Sequence, residues 1–177
     1  MDDDVAFKFK VCLVGDPYVG KTSLIMRYVY SIFSEEYLKT IGTNVYKKSV
    51  SVDGTRVQMI IWDIMGDHSF TSLIKDSYFY GAHGILAVYD VSRDFTRHNL
   101  ERWSVLSESA TFEGIPKVVL GNKVDLLLRR DDASDGLDDI ARKIGAGHGV
   151  LTSAKTGEGV EGAFQAMANL LVDYYKR

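Results

Sequence analysis

Gly15-Asp16-Pro17-Tyr18-Val19-Gly20-Lys21-Thr22 has the form Gly-x-x-x-x-Gly-Lys-Thr. It follows an apolar-rich run, Phe9-Lys10-Val11-Cys12-Leu13-Val14. It precedes Thr22 to Ile32, where Leu24, Ile25, Tyr28, Val29 and Ile32 recur at helical spacing. Strand, loop and helix in that order are the context in which this spacing cradles a polyphosphate. Small residues at the ends of the loop let the backbone wrap closely, with its N–H groups pointing inward. Lys21 is placed to reach the β- and γ-phosphates, Thr22 offers a hydroxyl to Mg²⁺, and the helix start adds its positive dipole end. Asp16, Pro17, Tyr18, Val19, Gly20, Lys21, Thr22 and Ser23 are therefore taken as nucleotide-contacting.

A phosphate loop does not choose between ATP and GTP. Two later segments do. Gly121-Asn122-Lys123-Val124-Asp125 follows an apolar strand, Lys117-Val118-Val119-Leu120. The Asp125 carboxylate can accept from guanine N1–H and from its exocyclic amine; adenine has no N1–H and would oppose acceptor to acceptor. Thr152-Ser153-Ala154-Lys155 follows a short strand, Gly149-Val150-Leu151, and a backbone N–H there can bind guanine O6. Asn122, Lys123, Asp125, Ser153, Ala154 and Lys155 form the expected base site.

Outward from these motifs, strands and helices alternate, which predicts an α/β sheet covered on both faces. Asn44–Val52 and Thr55–Trp62 flank Asp53-Gly54, a hairpin turn signal, so one strand is expected antiparallel in a mostly parallel sheet of six. The remaining strands are expected at Gly84–Asp90, Lys117–Leu120 and Gly149–Leu151. Helices are expected over about Thr22–Ile32, Asn99–Ala110, Ser134–Ile144 and Gly159–Tyr175. Asp131, Asp132, Asp135, Asp138 and Asp139 read as a solvated loop and helix start, where negative charge suits the helix dipole.

The 177 residues suit one domain, 1–177, with a sizeable core. A net charge of −3 argues against non-specific nucleic-acid binding, which needs a basic face. The single cysteine, Cys12, reads as a buried strand residue and rules out an internal disulfide scaffold, which suits a reducing cytosol. No secretory signal and no bilayer-length apolar stretch is found.

Taken together, these segments resemble the small GTPases of the Ras superfamily, and most of all the Rab family. Thr40-Ile41-Gly42 is similar to the first switch of that family, and Trp62-Asp63-Ile64-Met65-Gly66 to its second. Tyr78-Phe79-Tyr80-Gly81-Ala82-His83-Gly84 and Val88-Tyr89-Asp90-Val91 are close to further Rab segments. The resemblance implies a P-loop NTPase fold and GTP/GDP and Mg²⁺ as ligands. It implies Thr22, Thr40 and Asp63 as metal-holding residues, with Thr40 and Gly66 offering N–H groups to the γ-phosphate. It also implies Tyr37 closing over the phosphates and Phe33 against the guanine, where a core phenylalanine is the competing reading. Lys21 and Thr40 would serve hydrolysis. Effectors would dock on a face carrying Ile41, Val45, Trp62 and Tyr78, and an exchange factor and a GTPase-activating protein would act on the switches. A cytoplasmic or peripheral-membrane monomer is expected. The chain ends Asp173-Tyr174-Tyr175-Lys176-Arg177 without a C-terminal cysteine, so membrane attachment would need a tail outside this sequence.

Departures from the family surround the γ-phosphate. Asp67 stands where the family carries the glutamine that orients the attacking water. An ionised carboxylate accepts from water but cannot also donate to a phosphate oxygen. Pro17 and Tyr18 replace small residues, and Pro17 removes an N–H from the loop. Ile64 and Met65 predict a more apolar second switch, and Phe70 to Tyr78 is one residue longer than usual. His68 positions water, binds a partner or, as an exposed switch histidine, has no role. Three readings stay open: a cycling switch with slow hydrolysis, a GTPase-like binding module held in the GTP state, and a structural subunit with permanent nucleotide.

Overall fold

A computed structural model describes residues 5–36, 40–111, 114–129 and 131–176, without the side chains of 68–72, 74, 131 and 132. Six strands, β1 (Phe7–Val14), β2 (Thr43–Val52), β3 (Thr55–Ile64), β4 (Gly84–Asp90), β5 (Lys117–Asn122) and β6 (His148–Thr152), form one sheet in the order β2-β3-β1-β4-β5-β6. β2 runs antiparallel to β3 through the turn at Asp53-Gly54, and every other pairing is parallel. This is the expected mostly parallel sheet with one antiparallel strand.

The sheet separates two cores because alternate residues of a strand face opposite ways. Val11 and Leu13 of β1 join the side built from α1 (Lys21–Tyr30) and α6 (Val160–Tyr175), where Tyr28 and Phe164 stack with centroids 3.9 Å apart. Cys12 and Val14 join the other side, against α2 (His68–Phe79), α4 (Leu100–Glu108) and α5 (Asp131–Lys143), with Trp103 at its centre. The β4 sequence Gly-Ile-Leu-Ala-Val-Tyr-Asp is buried throughout, as a central parallel strand covered on both faces must be.

Three expectations need correction. The second switch is helical, α2, where no helix was expected. Helix α5 begins at Asp131 instead of Ser134, so the whole acidic run lies within it. A short helix that was not expected, α3 (Asp94–His98), precedes α4, which is the helix expected over Asn99–Ala110.

Parallel strands leave their C-terminal ends on one edge. There the loops after β1, β3, β4, β5 and β6 converge, the place where open α/β sheets hold ligands.

Candidate nucleotide site

At that edge lies a cavity of about 600 Å³, within the range of small-molecule sites. Pro17, Tyr18, Gly20, Lys21, Thr22 and Ser23 of the first loop line it. So do Phe33, Thr40, Gly66, Asp67, Asn122, Lys123, Asp125, Ala154 and Lys155. Sequence positions up to 138 apart, from Pro17 to Lys155, thus meet in one space. Asp16, Val19 and Ser153 do not line it. Val19 is fully buried in the first core, and the Asp16 carboxylate turns away to accept from Asn99 Nδ2 at 2.6 Å and Trp103 Nε1 at 2.9 Å. Tyr37 lies outside the described residues, as does the His68 side chain.

At one end the loop is built around Lys21. Its ammonium donates to Gly15 O at 2.7 Å and Asp16 O at 2.9 Å. Burial pushes its pKa down to about 8, partly opposed by Asp63 and Asp16. A buried cation held on carbonyl dipoles is a receptor for an anion. Beside it, Thr22 Oγ1 donates to Asp63 Oδ2 at 2.6 Å, so Thr40 Oγ1, 2.9 Å from Thr22 Oγ1, is the donor of that second bond. Asp63 is fully buried, and among the described residues its Oδ1 has no hydrogen-bond partner. Burial raises the Asp63 pKa, against the Thr22 hydrogen bond and the Lys21 charge. An orphaned carboxylate oxygen beside two hydroxyls is a hard-oxygen set that fits Mg²⁺, which takes one or two carboxylates and leaves the rest of its shell to phosphates and water.

At the other end, Ser153 Oγ donates to Asp125 Oδ1 at 2.6 Å, fixing the carboxylate in the turn Val124–Leu126. Asn122 braces three segments: its Nδ2 donates to Val19 O at 2.9 Å, and its Oδ1 accepts from Thr152 Oγ1 and Ala154 N–H at 3.2 Å each. Gly20 makes room for this, since a Cβ there would lie 2.4 Å from Asn122 Nδ2, on a backbone with φ +98°.

The chain carrying this site matches the Ras family model over residues 10–173. It belongs to the Ras family of small GTPases. It is 37% identical over 176 residues to Ras-related protein Rab-18-B of Danio rerio, covering 97% of this chain and 83% of that protein. It is 34% identical over 168 residues to Ras-related protein Rab-1 of Theileria parva, covering 94% and 76%, and equally to Rab-1 of Theileria annulata. This Rab-like GTPase is thus a GTP-binding protein of a family of molecular switches. Among its described residues no helix is long and apolar enough to cross a membrane.

Two contributors to the site were not read from the sequence. Asp90, at the end of β4, is buried and holds both Lys123 Nζ at 2.8 Å and Arg93 Nε at 2.9 Å. These cations reach consecutive carbonyls of the phosphate loop: Lys123 donates to Tyr18 O at 2.7 Å, and Arg93 to Pro17 O at 3.2 Å. The loop is held by its carbonyls just where Pro17 has lost an N–H and where Tyr18 sits at φ +67°. No pattern local to Asp90 or Arg93 announces this; only the sheet order brings them to the loop.

The switch face also differs from expectation. Ile41 and Val45 are exposed, and Trp62 is half-buried under Lys10 Nζ, 3.8 Å from its ring. Tyr78 is buried in the second core beside Phe79 and is not on the face. Ile64 and Met65 are buried too, so they make the second switch apolar inside and not at its surface. Leu73 of α2, 81% exposed, is the apolar side chain that α2 offers instead among the described residues. Phe33 meets both of its readings: it lines the cavity and packs against the first core. His83 is structural, its Nδ1 accepting the Lys10 N–H at 2.9 Å.

Proposed function

We propose that the protein is a guanine-nucleotide switch that binds GTP and GDP with Mg²⁺, hydrolyses GTP slowly, and acts in membrane traffic or signalling by binding effectors in the GTP state. The observation that carries this reading is a single cavity with a fixed carboxylate at one end and a cation beside a hydroxyl–carboxylate cluster at the other. At the base end, Ser153 leaves most of the Asp125 acceptor capacity for the guanine N1–H and amine. At the phosphate end, Lys21 would exchange carbonyl oxygens for phosphate oxygens. Thr22, Thr40 and Asp63 would hold Mg²⁺, which when bound neutralises charge on the phosphoryl oxygens. Thr40 comes from the loop before β2 and Gly66 from the loop after β3. Each would lose a contact when the γ-phosphate leaves, so hydrolysis would release both loops.

Slow hydrolysis follows from Asp67 and Pro17. Asp67 lines the cavity beside Gly66, where it can accept from water but offers no N–H to the phosphate. The same observation favours a second reading, a binding module held in the GTP state. Exchange factor, activating protein and effectors are the proposed partners. Chromatography of nucleotide from the denatured, purified protein tests the reading. Mostly GDP supports the cycling switch, mostly GTP supports the held module, and an adenine nucleotide contradicts both.

A further inference from the structure

Two side chains cross the seam between the base loop and the segment leading into the first switch. Arg27, in the last turn of α1, donates from Nε to Ala154 O at 2.8 Å and from one terminal nitrogen to Lys155 O at 2.6 Å. Its other terminal nitrogen donates to Ser31 O at 3.3 Å. The planar fork of a guanidinium suits such simultaneous capture of carbonyls; an ammonium does not. Ser31, at φ +59°, turns the chain off α1 into residues 32–36, which line the cavity. The second tie is an ion pair, Glu35 to Lys155 Nζ at 2.9 Å, with both partners exposed.

The two sides of the seam are anchored unequally. The base loop is fixed to the body through Ser153, Thr152 and Ala154, which bond Asp125 and Asn122. The arm has Ile32, Glu35 and Glu36 exposed, and the Glu36 N–H donates to nearby Ser34 Oγ at 3.1 Å. Phe33 is the arm's packed residue. A nucleotide whose base lies between the two sides leaves when the arm parts from the loop, and Arg27 and Glu35 both resist that parting.

We infer that Arg27 and Glu35 form a latch that sets how long the nucleotide stays bound. The inference rests on the reading of the cavity as a guanine-nucleotide site. Arg27 is a positioning residue: by holding the Ala154 and Lys155 carbonyls it fixes the base loop against the end of α1. The two ties differ in salt response. Exposed ion pairs are screened by salt, whereas the Arg27 hydrogen bonds go to neutral carbonyls, the one to Ala154 O partly buried, and are screened far less.

The test is release of fluorescent GDP from the Mg²⁺-loaded full chain into excess unlabelled GDP, well below the unfolding temperature. Arg27→Ala is expected to release GDP roughly 10–100-fold faster, as loss of charge-assisted hydrogen bonds implies, with association nearly unchanged. Arg27→Lys falls between, because it recovers a carbonyl contact but not the fork. Glu35→Gln releases about 2–5-fold faster at low salt, and the wild type meets its rate at 1 M salt. A merely structural role would not produce that salt convergence, and Glu35→Gln alters only an exposed side chain, so it remains a test even if an Arg27 variant folds poorly. Release at the wild-type rate in both variants, from a wild type that holds GDP in an Asp125-dependent manner, overturns the latch and leaves the site reading intact. A wild type that takes no GDP overturns both.

Discussion

Gly66→Ala should separate GTP binding from GDP binding. A Cβ at Gly66 would stand 2.5 Å from Pro17 N, 2.6 Å from Asp16 C and 2.8 Å from Asp16 O, all backbone atoms of the phosphate loop. Ordinary contact begins at 3.4 Å, so the two loops must part by 3.4 − 2.5, about 0.9 Å. The phosphate loop has little freedom to yield. Lys21 holds the carbonyls of Gly15 and Asp16, Asn99 and Trp103 hold the Asp16 carboxylate, and Arg93 holds Pro17 O. The second switch must therefore withdraw, and its Gly66 N–H moves off the γ-phosphate by more than a hydrogen bond tolerates. A hydrogen bond to a charged group contributes about 1.5–3 kcal/mol, so preference for GTP over GDP should fall roughly 10–150-fold. Gly66 is not in the left-handed region, so contact alone, not backbone strain, carries this effect. Competition of GTP against GDP for the purified variant measures it. An unchanged preference in a folded variant would refute the claim that Gly66 sits against the γ-phosphate.

Thr22→Asn should favour GDP or leave the site poor in nucleotide, because the hydroxyl that bonds Asp63 and Thr40 is lost from the Mg²⁺ set; GTP against GDP competition with and without Mg²⁺ reads it. Asp67→Gln should speed single-turnover GTP hydrolysis, by up to about 10²–10³ if a missing donor is the main defect, and a clearly slower variant would show that the carboxylate itself acts on the water. Stability should fall as pH drops below about 6.5. Burial, with Lys10 nearby, lowers the His83 pKa, so below that value the unfolded chain binds more protons than the folded one; stability then rises with pH across this window, and the slope should vanish in His83→Asn.

The parts legible in the sequence were those with local chemistry. The phosphate loop, the Asp53-Gly54 hairpin and the pairing of Asp125 with Ser153-Ala154 each carry their signal within a few residues. The second-switch helix was not legible because His68 to Phe79 is rich in serine, threonine and aromatics of low helix propensity, so packing against α4 and the second core decides it. The start of α5 was missed for a similar reason, with aspartates and Gly136 inside a helix whose apolar face, Leu137, Ile140 and Ala141, only the fold supplies. Tyr78 and Met65 look like surface apolar residues until the neighbours that cover them are known. Arg27 and Arg93 act on carbonyls far away in sequence, Asp90 acts only through Arg93 and Lys123, and carbonyls leave no mark in a sequence.

The central claim is that the cavity reads guanine through Asp125. Titration of fluorescent GDP and ATP into the wild type and into Asp125→Ala, both with Mg²⁺, tests it most directly. Tight GDP binding is expected, with ATP weaker by roughly 10⁴–10⁵, and most of the GDP affinity should be lost in the variant. Comparable affinities for GDP and ATP, or undiminished GDP binding in Asp125→Ala, would contradict it.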